Sequence, residues 1–327
     1  MSASRESASL SRRSLLALGG AAGAAGIAST VLSAPPAWAS APPGNTVPGL
    51  RADHGRASDE LRALEAATSV TIGVVALPVG RGGGADRGAD RRAERRAFRY
   101  RAADLFPMCS LFKPLAAAAL VRARGYDDAY WSTPIPFTDA DVVRDSIVLG
   151  TMRPQQATPE QLADAAIRYS DNTAGNLLLR ELGGPAAITA FATELGATHT
   201  RLDRWEPDLN EARPGDVRDT TTPDDIARLY SALLLEDAAG VLASSRLREW
   251  MLRNTTSGAR MRAGLTAPYE LADKTGGGEY GVVNDAGVLW RPGLAPITLV
   301  ILTRTDRFDA VRNNQVVAEA TRIVVGR

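Results

Sequence analysis

The chain has 327 residues, a formal net charge of +1 and 45% hydrophobic residues, a balance that provides no overall field for nucleic acid or a membrane surface. One cysteine and two histidines rule out an internal disulfide and leave too few donors for a zinc site, which argues against a metallo-hydrolase. His54 and His199 have no evident nucleophile and acid beside them; a Ser-His-Asp triad is therefore unsupported, and both read as surface histidines.

Ser11-Arg12-Arg13-Ser14-Leu15-Leu16 opens a small-residue apolar stretch that runs to Leu32, and two Ala-x-Ala sites follow at Ala37-Trp38-Ala39 and Ala39-Ser40-Ala41. Residues 1–39 are predicted to be a twin-arginine export signal, which places the mature protein outside the cytoplasm. Residues 40–56, rich in Pro, Gly and Ala, read as a disordered lead-in to a single catalytic domain at 57–327. Helical spacing covers 57–68, and an apolar β-branched run at 70–77 predicts a strand. Residues 81–101 hold eight arginines against three acids without interleaved aromatic platforms, which predicts a solvated hairpin connection rather than a nucleic-acid surface, with 98–103 as the returning strand.

Helical spacing recurs at 159–169, 173–182, 186–195, 224–235 and 245–252. The period then changes: 269–274, 281–290 and 297–303 read as strands, joined at Gly276-Gly277-Gly278 and Arg291-Pro292-Gly293, before a closing helix at 309–325. Early strands, a helical middle, late strands and a last helix predict an α/β fold of the α+β kind. Its antiparallel sheet is built from both chain ends and flanked by helices (57–105 and 256–327), and 106–255 forms an all-helical lobe. A cleft between lobes is the expected place for a site. A monomer is expected, with no membrane partner after signal cleavage, because nothing marks an exposed apolar face.

Of the 38 Lys plus Arg, only Lys113 and Lys274 are lysine. Arginine does not lose its proton in practice whereas a buried lysine does, so two positions that resist the arginine habit are candidates for chemistry. Lys113 closes Ser110-Leu111-Phe112-Lys113, where nucleophile and lysine are three residues apart and share a helix face. Pro114 is tolerated only in a first turn, so the helix is predicted to begin close to Ser110, whose neighbouring unpaired N–H groups suit an oxyanion. Ser170-Asp171-Asn172 offers a hydroxyl and an amide between two helical runs, though alone it would be a helix N-cap. Asp273-Lys274-Thr275-Gly276 ends a strand with a cation and a hydroxyl before a glycine run, and alone would be an ordinary turn.

The ordered set S-x-x-K, S-D-N and K-T-G resembles that of class A serine β-lactamases and penicillin-binding proteins. A fourth motif, Arg204-Trp205-Glu206-Pro207-Asp208-Leu209-Asn210, is similar to the class A Ω loop, and the resemblance spans the mature chain from first helix to last. The resemblance implies a β-lactam hydrolase without a cofactor. Ser110 would be the nucleophile, and its proton would go to Lys113 or, through water, to Glu206. Ser110 and Gly277 N–H groups would form the oxyanion hole. Ser170 would relay a proton under the influence of Lys274, and Asn172 would hold the substrate amide. Thr275, beside Gly276, would hold the substrate carboxylate with Arg260, with Arg312 a weaker candidate. Glu206 and Asn210 would activate the hydrolytic water, Asn176 would brace the loop, and Arg204 would pair with Asp219. Leu111, Pro114, Asp145 and the long 80–96 connection depart from the family pattern. The competing readings are a D,D-peptidase, which has no need of Glu206 and Asn210, and a sensor or sink that stays acylated.

Overall fold

Strands from the two ends of the chain pair into one antiparallel sheet in the computed structural model, which describes residues 50, 53–79, 96–125 and 127–326. The strands are β1 (Thr71–Pro78), β2 (Phe98–Tyr100), β3 (Glu270–Gly277), β4 (Val283–Trp290) and β5 (Ile297–Arg304), in the spatial order β2-β1-β5-β4-β3. The export segment, most of the lead-in and most of the arginine-rich connection lie outside the described residues.

The sheet is covered on both faces, which explains why its strands read as nearly continuous apolar runs. Side chains alternate across a strand. Ile72, Val74 and Ala76 of β1 therefore pack with Leu61 of the first helix (His54–Thr68) and Val317 and Val324 of the last (Asn314–Val325). Val75, with Ala272, Ala286 and Val300, faces the helical lobe instead. That lobe is built from helices Lys113–Arg124, Pro159–Arg168, Asn172–Leu182, Ala186–Glu194, Pro223–Leu235 and Val241–Leu252. Their starts follow local chemistry: Thr158 and Gln161 form a reciprocal capping box, and the Asp171 and Thr222 side chains accept from Ala174 N and Asp225 N. Helix Lys113–Arg124 runs through the core, with Leu115, Ala116, Ala117 and Ala118 fully buried.

Several boundaries differ from the sequence expectation, each for a physical reason. Ser110 is not in the α-helix: residues Cys109–Phe112 form a 3-10 turn, and the α-helix starts at Lys113. Pro114 still occupies the first α-helical turn, where no N–H is needed. Gly276 and Gly277 do not join two strands but end β3 itself, where Gly276 lets the edge strand come close to the 3-10 turn that holds Ser110. A Cβ on Gly276 would lie 3.1 Å from Met108 O. The returning strand stops at Tyr100, and the last helix starts at Asn314, where the Asn313 side chain caps it. The first helix begins at His54, inside the expected lead-in, with Asp53 accepting from Arg56 N. His54 stacks edge-on against Phe98, whereas His199 is exposed.

Candidate active site

The site is assembled where the 3-10 turn, the start of helix Asn172–Leu182, the loop 204–219 and edge strand β3 meet. Ser110 follows Cys109, which holds a positive φ of 49°. Left-handed backbone costs a non-glycine residue about 1–3 kcal/mol and persists only where the surroundings enforce it. Here they do: Met108 N donates to Asp219 O at 2.8 Å and Tyr230 Oη donates to Leu111 O at 3.0 Å. Asn284 Nδ2 donates to Pro107 O at 2.8 Å. Leu111, the departure beside the serine, is fully buried in the core and does not project into the site.

Lys113 and Lys274, the two lysines of the chain, are both fully buried. Lys113 Nζ donates to Ser170 O at 2.7 Å and Asn172 Oδ1 at 2.8 Å, and it lies 3.1 Å from Glu206 Oε1. Three acceptors thus match the three donors of an ammonium. Lys274 Nζ donates to Ser170 Oγ at 2.9 Å and to Thr275 O at 2.7 Å. Burial pushes the Lys274 ammonium well below its ordinary pKa, and the nearby charges of Lys113 and Arg260 add to the effect. Ser170 therefore bridges the lysines, one through each oxygen. It does so from a left-handed conformation, φ 59°, just before Asp171 caps the following helix. The motif is an N-cap and a chemical group at once. Asp171 Oδ2 also accepts from Val148 N and Leu149 N, tying the cleft loop to this helix.

Glu206 is brought to Ser110 by the loop: Ser110 Oγ lies 3.4 Å from Glu206 Oε1. The loop is fixed at three places. Asn176 exchanges two hydrogen bonds with the Glu206 backbone, each 2.9 Å, and Arg204 Nε donates to Asp219 Oδ2 at 2.5 Å. Arg204 Nη1 also reaches Glu211 Oε2 at 2.7 Å. Asn210 Nδ2 donates to Glu206 Oε2, whereas Asn210 Oδ1 is buried with no partner among the described residues.

Asn172 is buried, its amide held between Lys113 and Arg144 O at 3.1 Å, while its own N–H donates to Asp145 O at 3.2 Å. Thr275 Oγ1 lies 2.5 Å from Thr256 Oγ1. Arg260 Nη1 donates to Gly276 O at 2.6 Å and Asn284 O at 2.7 Å, and its Nε to Asn314 Oδ1 at 2.9 Å. Arg312 lies across the end of β3, its Nε donating to Gly278 O at 3.1 Å.

The comparisons agree with this geometry. A family model described as the β-lactamase enzyme family matches residues 56–327. A β-lactamase of Streptomyces albus G is 45% identical over 323 residues, covering 96% of each chain. The solved structure of the Streptomyces albus G β-lactamase superposes with a TM-score of 0.74, covering 82% of this chain and 97% of that one. A variant of a reconstructed ancestral class A β-lactamase of Gram-negative bacteria is 42% identical, with a TM-score of 0.73, over 82% of this chain and 96% of that one. The chain belongs to the class A β-lactamase family.

Sequence reasoning missed some residues that hold this β-lactamase site together. Asn284 fastens the segment that leads into Ser110 to the sheet, accepting from Thr303 N at 2.9 Å as well as donating to Pro107 O. Its neighbour Asp285 is fully buried beside Asp273. Burial first, and the Asp273 charge second, hold its carboxyl well above the usual range. Their signal was present: an Asn-Asp pair interrupts an otherwise apolar strand, and buried polar groups are kept where they make defined bonds. Across the mouth, Arg144 Nη2 lies 3.5 Å from Glu279 Oε1.

Proposed function

We propose that this protein hydrolyses β-lactams by two-step acyl transfer, with Ser110 as nucleophile and Glu206 as the base for both steps. The observation that carries the reading is the Glu206 carboxylate, which lies 3.4 Å from Ser110 Oγ and is also held by Asn210. Lys113 Nζ is engaged by Ser170 O, Asn172 Oδ1 and Glu206 Oε1, and no hydrogen bond joins it to Ser110 Oγ among the described residues. Glu206 is the unsaturated acceptor at Ser110. A separation of 3.4 Å is long for O–H···O, so the transfer is assigned to a bridging water or to closure on substrate.

Ser110 Oγ attacks the lactam carbonyl, and the backbone N–H groups of Ser110 and Gly277 hold the developing oxyanion; one such donor is commonly worth ~10²–10³ in rate. Ser170 Oγ accepts from Lys274, so its own hydrogen passes to the departing lactam nitrogen as Lys274 returns a proton to the oxygen, and the proton that Glu206 took from Ser110 goes back to this relay before deacylation. Asn172 and Thr275 orient the substrate amide and carboxylate, with Arg260 beneath Gly276. Water then attacks the ester. Asn210 Oδ1, a buried acceptor with no partner among the described residues, is placed to accept a hydrogen bond from the attacking water while Glu206 takes the water's other proton.

Export is part of the proposal: Arg12-Arg13, the apolar 14–32 stretch and the Ala-x-Ala sites support twin-arginine secretion of the mature protein. Among the described residues no helix is long and apolar enough to cross a membrane.

The test is turnover of a chromogenic cephalosporin by purified protein, beside Ser110→Ala and Glu206→Ala. Turnover that is lost in Ser110→Ala, and collapses to a single burst with a trapped acyl-enzyme in Glu206→Ala, supports the reading. A stoichiometric burst without turnover in the wild type moves the protein to a penicillin-binding or sensor role.

A further inference from the structure

We propose that Tyr230 is a positioning residue for acyl transfer: by bonding Leu111 O, its hydroxyl holds the Ser110 N–H aimed at the oxygen of the carbonyl under attack. The inference rests on the acyl-transfer reading given above.

Ser110 stands in a turn that its own residues do not favour. Cys109 before it is left-handed, φ 49°, a conformation that relaxes unless its flanks are held. One continuous stretch of chain holds both flanks. On the N-terminal side, Phe106 and Pro107 pair antiparallel with Thr221 and Thr220, and Met108 N donates to Asp219 O at 2.8 Å. On the C-terminal side, Tyr230 Oη, from the helix Pro223–Leu235 that follows directly, donates to Leu111 O at 3.0 Å. Thr222 joins the two grips by capping that helix, accepting from Asp225 N at 3.1 Å. Among the described residues no other side chain bonds the backbone of Ser110, Leu111 or Phe112.

Tyr230 is 1% exposed and shares its core with Leu111, Leu115 and Val300. Burial first, and the Asp285 and Asp273 charges second, hold the phenol well above its ordinary range, so it keeps its proton and remains a donor at every working pH. Leu111 is fully buried, and a buried carbonyl that loses a donor shifts toward a new one. Any shift of the Leu111 peptide carries Ser110 with it, because both lie in the 3-10 turn Cys109–Phe112. Ser110 is the second residue of that turn, and N–H groups at such a start have no acceptor within the turn and can serve a ligand oxygen. The adjacent Ser231 provides a contrast on the same helix: its Oγ is equally buried, but lies 2.6 Å from Thr298 Oγ1 on β5, away from the turn.

The experiment compares wild type, Tyr230→Phe and Ser231→Ala, each variant losing one buried hydroxyl from one helix. Stopped-flow mixing with a chromogenic cephalosporin gives the acylation rate. Infrared difference spectra give the carbonyl stretch of the acyl-enzyme trapped in the Glu206→Ala background. Both are read well below each variant's melting temperature, so that folded proteins are compared. In Tyr230→Phe acylation is expected to slow about tenfold and the stretch to move to higher frequency, because a misaimed donor polarises the carbonyl less. Ser231→Ala, although it also melts earlier, keeps both at the wild-type values, and the pH profile of acylation is the same in all three. If Tyr230→Phe retains the wild-type rate and frequency, or if Ser231→Ala shifts both as far, the inference falls while the acyl-transfer reading stands. If neither the wild type nor Glu206→Ala forms an acyl-enzyme, the acyl-transfer reading falls and takes this inference with it.

Discussion

Replacing Asp219 by Asn tests whether the anchorage of the loop sets the rate at which water is activated. The Asp219 carboxylate is 1% exposed and accepts three bonds: from Asp203 N at 2.7 Å, Arg204 N at 2.9 Å and Arg204 Nε at 2.5 Å. Asparagine keeps the shape and one acceptor oxygen but turns an NH₂ toward a donor and removes the charge. Breaking a fully buried pair costs about 3–5 kcal/mol. Arg204 is 15% exposed on its side chain and retains Glu211, so the loss here should be about 2–3 kcal/mol. For a domain of this size that lowers the melting temperature by roughly 5–10 °C. Because Glu206 rides on the same loop, a displacement of its carboxylate worth ~1.4 kcal/mol slows deacylation about tenfold. Differential scanning calorimetry gives the first quantity, and stopped-flow hydrolysis of a chromogenic cephalosporin, read as burst and steady state, gives the second. A variant that melts early yet turns over at the wild-type rate would refute the coupling of this anchor to the Glu206 carboxylate proposed to activate water. One that melts normally would show that the charge adds nothing to the fold.

Glu206→Ala should accumulate acyl-enzyme, seen as a mass increase equal to one bound β-lactam, with steady-state turnover reduced by ~10²-fold or more. Gly175→Ala should keep its helix, since alanine favours helix by about 1 kcal/mol over glycine. Its Cβ, however, would lie 2.9 Å from Lys113 Cε, so kcat should fall at least ~10-fold without loss of melting temperature, and a variant with normal kcat would show that Lys113 has slack. Asp285 has a folded pKa raised above its unfolded value, so the native state keeps a proton that the unfolded chain releases, and the stability linked to it is lost as pH rises above about 4. Asp285→Asn, which cannot ionise, should match the wild type near pH 4 and melt progressively higher than it as pH rises. A pH-independent difference between their melting curves would remove that account of Asp285.

Which side chains meet in the cleft was more legible than the backbone that brings them together. Ser110, Lys113, Ser170, Glu206 and Lys274 could be picked out because motif order and the scarcity of lysine survive without coordinates. The sheet was legible because β1, β5 and most of β4 read as apolar runs, and the helices because Thr158, Asp171 and Thr222 cap them. The 3-10 turn was not legible, since nothing about cysteine announces a positive φ at Cys109; contacts from Asp219, Tyr230 and Asn284, all distant in sequence, impose it. Gly276 and Gly277 read as a connection because glycine weakens strands, but here it gives the edge strand a close approach to Met108 and room for Arg312. Asn284 and Asp285 were overlooked because two polar residues in an apolar strand gain meaning only when their partners are known.

The persistence of lysine at two positions in an arginine-rich chain has a geometric explanation. The acceptors around Lys113 Nζ belong to three segments: Ser170 O before a helix, Asn172 Oδ1 within it, and Glu206 Oε1 on the loop. One ammonium meets three acceptors converging on a point, because its donors radiate from a single nitrogen. A guanidinium spreads five donors over a plane and suits acceptors that lie side by side. Arginine is accordingly used where the partners are coplanar or extended, as Arg204 between Asp219 and Glu211 and Arg260 along the carbonyls of Gly276 and Asn284. Ser170 turns one oxygen to each lysine, so the lysine–serine–lysine bridge joins the nucleophile turn to the edge strand through a single left-handed residue. A bridge of that kind transmits position more than charge. In the proposed reaction it would fix the hydroxyl that reaches the leaving nitrogen relative to the serine that attacks the carbonyl carbon, so that one residue sets the spacing between the two.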